Sequence, residues 1–291
     1  MTNRFLFKID NLIEGTIVKR PSTIIKSPYV ADVVSDLLEN KKILAHTAAL
    51  GCCGLSDNGA TILMSKIIKN NKCNKNNEKI KCTYRVYLSI FKERDVDIIV
   101  GIHPKLAEEI TEKALKLNLL KSLQNIKSYK KETAIKVENK VDSRFDFTGI
   151  DENGIPFIME VKNVPLADYE DITSKERKHK CYDNIDINNK VAYFPDGYRK
   201  KSTDTVSPRA LKHIKELTLI KSESITRCIM CYVIQRTDIN RFQVSIIDPE
   251  YRNAVNNAIK CGVEIITLVA SWNKEGEVYF IRDDLPITPF D

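Results

Sequence analysis

The chain has 291 residues, 43 % of them apolar, and a formal net charge of +7. That length suits two domains or one large one, with apolar residues enough for a sizeable core. No run of 18 apolar residues occurs, and the N-terminal MTNRFLFKID carries charge inside its apolar stretch without a small-residue cleavage site. Neither a membrane-spanning helix nor a secretory signal is therefore expected, and a cytoplasmic location is.

The positive charge is concentrated in the first third. Residues 1–97 carry 16 Lys/Arg against 10 Asp/Glu, a net of +6, while 98–291 carry 30 against 29, a net of +1. Such a field attracts phosphate backbones without reading sequence, although a solvated lysine-rich surface has the same composition. Short apolar or alternating runs at 30–34, 42–46, 60–64 and 83–91 are separated by Asn, Gly and Lys clusters. Alternation at Tyr84, Val86, Leu88 and Ile90 predicts a strand with one buried face. Several short strands with little helix predict a small OB-like barrel over residues 1–97. The lysine-dotted segment 66–81 is predicted to be a loop.

Beyond residue 100 the pattern changes. Pro104 opens a helix with Leu106, Ile110, Ala114 and Leu117 on one face. Strands are predicted over 134–137, 144–150 and 155–161, and the polar stretch 168–189 reads as an exposed loop. Ser207 caps a second helix, with Pro208 at its first position and Ala210, Leu211, Ile214 and Leu217 inward. A strand follows over 228–235. Asp248 and Pro249 start a third helix with Val255 and Ile259 inward and Gly262 just past its end. Another apolar strand follows over 263–270. Strand, helix, strand order implies a right-handed crossover and a partly parallel sheet. The fold class is thus α/β (α+β), with a β-rich unit over 1–97 and an α/β unit over 98–291.

Eight cysteines raise the question of zinc or disulfides. Cys228-x-x-Cys231 is half a zinc pattern whose second half is missing, and a spacing of three on a strand puts the sulfurs on opposite faces. Reduced core cysteines are expected, the adjacent Cys52 and Cys53 among them.

The segment from Ser143 to Lys162 carries the chemistry. Two apolar strands flank Asp-Glu-Asn-Gly, a hairpin turn. A three-residue loop, 152–154, places Asp146 directly across from Glu160, and Glu160 and Lys162, two apart, share a face. Two adjacent carboxylates repel unless a cation neutralises them, and a hard divalent ion does so with oxygen ligands. Asp146, Glu160 and the Val161 carbonyl are the candidate ligands for Mg or Mn. Such an ion can activate a water for attack on a phosphodiester, with Lys162 steadying the developing charge. The competing reading is an ion pair in which Lys162 merely satisfies Glu160.

These residues resemble the sugar fermentation stimulation protein A family. The matching stretches, in order, are Ala31-Asp-Val33, Ser143-Arg-Phe-Asp-Phe147, Met159-Glu-Val-Lys-Asn-Val164, Phe194-Pro-Asp196, Arg209-Ala-Leu-Lys-His-Ile-Lys-Glu-Leu217, Val233-Ile-Gln-Arg236, Asp248-Pro-Glu-Tyr251 and Gly262-Val-Glu264. The resemblance implies an N-terminal OB-like domain, a C-terminal restriction-endonuclease-like domain of the PD-(D/E)XK type, and a DNA-binding role described as regulatory. Departures are also present. The family's His-Cys-Pro-Asn-Thr-Gly-Ala-Met motif stands here as His46-Thr-Ala-Ala-Leu-Gly-Cys-Cys53, and its Arg-Tyr-Lys-Arg-Phe run as Ile25-Lys-Ser-Pro-Tyr29. A glutamate expected on the 104–119 helix aligns with Lys113, leaving Glu109 one turn earlier as its replacement, and a strand glutamate aligns near Ile135.

Lys19, Arg20, Lys26, Arg144, Arg209, Lys212 and His213 are the candidate nucleic-acid contacts. Arg209 and His213, four apart near a helix start, are placed to meet a phosphate, or else form a solvated helix face. Gln235 is a candidate to orient the attacking water or, alternatively, a structural hydrogen bond. Tyr29, Tyr84 and Tyr87 are offered either to stacked bases or to the barrel core. His103 and His179 are expected to be structural or exposed. Three functions follow: a DNA-binding protein with a nuclease-like metal site, an active Mg-dependent nuclease cutting DNA or RNA, and a non-catalytic interaction module. Double-stranded DNA is the expected partner, and a homodimer is the assembly suited to cutting both strands.

Overall fold

The computed structural model describes residues 4–47, 54–68, 82–137, 140–177, 179–195 and 205–290. In chain order these form β1 (Arg4–Lys8), β2 (Ile13–Lys19), β3 (Val30–Val34), β4 (Ile43–His46), β5 (Thr61–Lys66), β6 (Tyr84–Glu93), β7 (Val96–Gly101), α1 (Pro104–Lys116), β8 (Ser128–Val137), β9 (Val141–Ile150), β10 (Pro156–Val164), β11 (Ala167–Asp168), α2 (Ser174–Arg177), β12 (Lys190–Phe194), α3 (Pro208–Glu223), β13 (Arg227–Ile234), β14 (Ile239–Val244), α4 (Pro249–Lys260), β15 (Glu264–Trp272) and β16 (Glu277–Arg282). Most of the predicted loop 66–81, and the cysteines Cys52 and Cys53, lie outside the described residues.

Five of the early strands close on themselves. β2 pairs with β3, β3 with β4, β4 in parallel with β6, β6 with β5, and β5 with β2, while β7 extends the ring beside β6. Ile17, Ala31, Val33, Ala45, Ile62, Met64, Val86 and Val100 fill the enclosed space. Gly15 permits the tight curvature, since a Cβ there would stand 2.8 Å from Val33 and 2.9 Å from Met64.

A seven-stranded sheet follows in the order β1-β16-β15-β13-β10-β9-β8. β10, β13 and β15 run parallel at its centre, as the strand–helix–strand pattern predicts, and antiparallel strands form its edges. On one face α1 packs over Phe147, Phe157, Met159, Ile229 and Cys231, with barrel residues Leu63, Leu88 and Ile90 joining the same core. On the other, α3 and α4 cover Ile158, Met230 and Tyr232 through Ile214, Leu217, Val255 and Ala258. β11, β12 and β14 form a third, small sheet. Sheet membership does not follow a cut at 97/98. β1 joins the large sheet by pairing with β16, and residue 97 lies inside β7.

Several details differ from expectation for clear reasons. Leu117 lies just past the end of α1 and is half exposed, while Leu115 takes the buried place. In α4, Tyr251, Val255 and Ala258 face inward at i, i+4, i+7, which leaves Ile259 on the exposed shoulder. Ser207 caps α3 through its carbonyl, accepting from Leu211 N–H at 3.0 Å, and its hydroxyl caps nothing. Asp248 caps α4 with its side chain, accepting from Tyr251 N–H at 3.1 Å. The 168–189 stretch is not simply exposed: Tyr169 is buried, and buried Asp171 accepts hydrogen bonds from Gln243, Ser245 and the Ile246 N–H. Cys228 and Cys231 sit in opposite cores, where burial pushes both thiols up to about 12. No helix among the described residues is long and apolar enough to cross a membrane.

Candidate metal centre

The hairpin forms with the predicted loop. Asp151 N–H donates to the Ile155 carbonyl at 2.9 Å, Gly154 takes the positive φ of 84° that the turn requires, and Phe157, Ile158 and Met159 pair with Gly149, Thr148 and Phe147. Continuing that register sets Asp146 opposite Glu160, but the ladder stops one pair short. On the other side, Lys131 pairs with Phe147 and Thr133 with Phe145, so the register passes over Glu132 and Asp146. Glu132 adopts φ of 48°, and the three carboxylate residues 132, 146 and 160 occupy one row across β8, β9 and β10.

Tertiary packing causes this splay. Phe145 packs in the core under α3, whereas Phe147, two residues on, packs in the core under α1. Residues two apart in a regular strand share a face, so β9 must rotate at Asp146. From α3, Lys212 donates to the Asp142 carbonyl and Ser143 Oγ, and Glu216 accepts from the Asp142 N–H at 3.1 Å, drawing the start of β9 toward the helix. Asp146 Oδ2 then accepts from the Val161 N–H at 2.7 Å, in place of a ladder bond. An extended residue directs its N–H and C=O to the same edge, so the Val161 carbonyl also faces the gap.

Glu160 is 3 % exposed. Its Oε1 accepts from both the Lys162 ammonium and His213 Nδ1, while its buried Oε2 has no hydrogen-bond partner among the described residues. Burial and the Glu160 charge push Asp146 up to about 7, and the charge of Glu108 on α1 adds to the effect. Burial also pushes Glu160 upward, but Lys162 and His213 outweigh it and hold its carboxyl below the ordinary range. Burial and the charge of Glu132 raise Glu108. The negative field at this junction is therefore not fully neutralised by the chain itself.

Asp146, Glu160 and Lys162 are thus brought together, and Asp146, the free Oε2 of Glu160 and the Val161 carbonyl make an all-oxygen set suited to a hard divalent ion. No three His, Cys, Asp or Glu side chains form a metal cage among the described residues. Mg²⁺ commonly takes one or two carboxylates and completes its shell with water or phosphate, and the pair fits that mode. The helix carboxylate whose charge reaches Asp146 is Glu108, not Glu109, and Glu132 enters the row through its strand register alone.

Three other expectations are corrected. His213 is 3 % exposed, against Glu160 and 5.7 Å from the Phe145 ring, and so cannot meet a phosphate from the surface. Gln235 is fully buried and both polar atoms of its amide are engaged: Nε2 donates to Asn163 Oδ1, and Oε1 accepts from Trp272 Nε1 at 2.9 Å. It lies just past the end of β13, five residues on from Met230, the neighbour of Glu160, or roughly 16 Å at a strand's rise. It is a structural tie rather than a water-orienting group. Gly101 makes room for it, since a Cβ there would stand 1.9 Å from Oε1. Arg20 is also structural: its guanidinium donates to the Pro28 carbonyl at 2.8 Å and to Ser56, joining two loops of the barrel. Lys19, Lys26, Arg144, Arg209 and Lys212 are exposed, Arg144 beside Glu132 at 3.4 Å and Lys212 engaged with β9. His213 stood out in the sequence by its place near the start of α3, but nothing in the sequence pointed it toward Glu160.

Fold and site together define a mixed α/β protein with a carboxylate pair where two strands of its central sheet part. The model of the sugar fermentation stimulation protein RE domain matches residues 105–276. The sugar fermentation stimulation protein homolog of Jannaschia sp. (strain CCS1) is 30 % identical over 264 residues, covering 90 % of each chain. That of Shewanella sediminis (strain HAW-EB3) is 30 % identical over 189 residues, 63 % of this chain and 68 % of its own. The solved structure of Pyrococcus furiosus SfsA in complex with Ca²⁺ matches with a TM-score of 0.72 at 18 % identity, covering 98 % of this chain and 99 % of that one, a likeness of fold. The chain belongs to the sugar fermentation stimulation protein family.

Proposed function

We propose that this protein binds DNA and holds one divalent cation, Mg²⁺ or Mn²⁺, at Asp146, Glu160 and the Val161 carbonyl, in a nuclease-like site. The observation that carries this reading is the buried Glu160 Oε2, left without a hydrogen bond beside an Asp146 whose carboxyl is pushed up to about 7. A buried acceptor without a donor, next to a second carboxylate, is costly unless a cation supplies the missing interaction. The Ca²⁺ in the Pyrococcus furiosus relative is consistent with such a donor set. We read the closed ring of β2–β6 as an OB-like barrel and the seven-stranded sheet with its helices as a PD-(D/E)XK-type domain, divided near residues 97–101.

When bound, such an ion lowers the pKa of a coordinated water and neutralises charge on a phosphodiester. The chain's own residues do the rest. His213 and Lys162 fix the Glu160 carboxylate through one oxygen and leave the other for the ion. Lys162, held beside the pair, would steady charge developing on a phosphoryl oxygen. Exposed Lys19, Lys26, Arg144 and Arg209 supply sequence-independent attraction for the backbone.

Calorimetric titration with Mg²⁺ and Mn²⁺, and incubation with plasmid, linear and single-stranded DNA, test the reading. Saturable binding of one ion that is lost in Glu160→Gln supports the metal site, and ion-dependent cleavage lost in the same variant adds the nuclease. Gel shifts without cleavage leave a DNA-binding protein whose ion is structural. The Lys162–Glu160 contact favours one competing reading, an inert ion pair, and absence of any ion binding would establish it. If both strands are cut, two copies acting together are expected, and sedimentation with DNA reports that assembly.

A further inference from the structure

A second group of unsatisfied polar atoms lies on the rim of the barrel, apart from the carboxylate pair. β4 ends at His46, which pairs in parallel with Arg85 of β6. Thr47 follows, its N–H donating to the Tyr29 carbonyl at 2.9 Å. The Tyr87 carbonyl, two residues beyond Arg85, accepts from the N–H groups of Ile102 at 2.9 Å and His103 at 3.2 Å, which brings the head of α1 alongside. The Tyr29 ring stacks on His46 at 6.4 Å, and the Tyr87 ring lies 5.3 Å from His103.

Four side-chain atoms here are buried with no hydrogen-bond partner among the described residues: His46 Nδ1, Thr47 Oγ1, Arg85 Nε and His103 Nδ1. Two belong to residues more than nine-tenths buried, Thr47 at 0 % and His103 at 7 %. Native chains leave few buried polar atoms unpaired, and four in one place mark a missing partner. The field identifies its sign. Burial lowers the His103 pKa to about 4, and the charges that add to this are those of Arg85, His46 and Lys105, none of them acidic. Burial and Arg85 lower His46. Burial thus disfavours a charge on either ring, and each imidazole brings an N–H, beside a guanidinium and a hydroxyl. Arg85, His46 and Tyr29 are half-buried or exposed and form the entrance, with Thr47 and His103 as the floor.

We propose that His46, Thr47, Arg85 and His103 form a phosphate-binding site on the barrel, and that the phosphate it takes belongs to a nucleic-acid strand. Guanidinium, hydroxyl and imidazole N–H groups, with no acid among the described charges that act on the two rings, are the donor set for a phosphoryl oxygen. The first half stands on these residues alone; the second rests on the nucleic-acid reading above.

The chain has four histidines, so their imidazole Cε1–H signals can be followed individually by NMR. Inorganic phosphate titrated into the full chain at constant ionic strength is expected to shift His46 and His103 saturably, leaving His179 and His213 in place. Arg85→Gln abolishes the shift and Thr47→Val weakens it, so either variant serves if the other fails to fold. In EDTA, Arg85→Gln is expected to weaken binding of a fluorescent oligonucleotide about tenfold and lower the slope of log affinity against log salt by about 1. A titration without saturable shifts at His46 and His103 overturns the site. Saturable shifts with equal oligonucleotide binding by wild type and Arg85→Gln overturn the nucleic-acid ligand. Should the wild type bind no oligonucleotide, the nucleic-acid ligand falls together with the DNA-binding reading, while the phosphate titration still decides the site.

Discussion

Two buried groups of charges in this molecule are built on opposite plans. In the first, Lys190 pairs with Glu93 and Asp238, Arg236 grips both oxygens of Asp238 at 2.7 and 2.6 Å, and the Tyr169 hydroxyl donates to Glu93 at 2.6 Å. Burial would raise both carboxyls, yet their partners hold them below the ordinary range. Glu93, Tyr169, Lys190 and Arg236 border a cavity of about 340 Å³ between the barrel and the small sheet. In the second group, Asp146 and Glu160 share too few donors, one oxygen is orphaned, and one carboxyl is pushed up to about 7. Saturated charge ties two parts of the fold together; the unsaturated pair is where the proposed cation would supply the missing interaction.

The largest effects separate the two groups most sharply. Glu160→Gln is expected to abolish saturable ion binding in calorimetric titration and, where ion-dependent cleavage is seen by plasmid relaxation, to reduce it by at least about a hundredfold. Lys190→Met should act on stability instead. It leaves the partly buried Glu93 without its cation and Asp238 with Arg236 alone, and costs about 3 kcal/mol by denaturant unfolding. If Lys190→Met barely affects unfolding, or Glu160→Gln unfolds the protein, the contrast fails.

A smaller effect sharpens it. In EDTA, the folded chain holds a proton on Asp146 up to about pH 7, whereas an unfolded aspartate loses it near 4. The native state thus binds more protons across that interval, and Asp146 makes stability fall as pH rises from about 4 to about 7. Glu160, lowered in the fold, contributes stability that is lost only at more acidic pH, as it protonates. Asp146→Asn is expected to flatten the fall between pH 4 and 7, to raise the metal-free melting temperature at neutral pH, and to weaken ion binding. A steeper pH dependence in that variant would falsify the assignment.

His213→Ala is next: loss of a group orienting a ligand carboxylate lowers metal affinity by about 10- to 100-fold, measured by titration. Gln235→Leu gives the smallest change expected to be resolved. It strands Trp272 Nε1 and Asn163 and costs about 1–3 kcal/mol of stability, with cleavage per folded molecule unchanged. A selective loss of activity there would restore Gln235 to the chemistry.

Some of the site was legible before any coordinates. A three-residue turn and the two-residue period of strands are local facts, and they set Asp146 across from Glu160 with Lys162 on the same face. Glu132 was not legible, because it enters only through the pairing of β8 with β9. Glu108 was missed in favour of Glu109, because helix spacing alone does not say which carboxylate looks at a strand from another layer. Arg20, Gln235 and His213 looked like surface or catalytic groups because polarity reads the same in a sequence whether a side chain meets water or a buried partner.

The sequence by itself determined the helices with their Pro starts, the partly parallel core of the sheet, the hairpin and its facing pair of carboxylates, since each follows from periodicity or turn chemistry within a few residues. Only the tertiary structure decided that β1 completes the far sheet, that β9 turns over at Asp146, and that the four unsatisfied atoms of His46, Thr47, Arg85 and His103 meet at one rim. Those outcomes depend on which distant surfaces compete for the same apolar cover and the same hydrogen bonds, a competition settled only when all the layers pack at once.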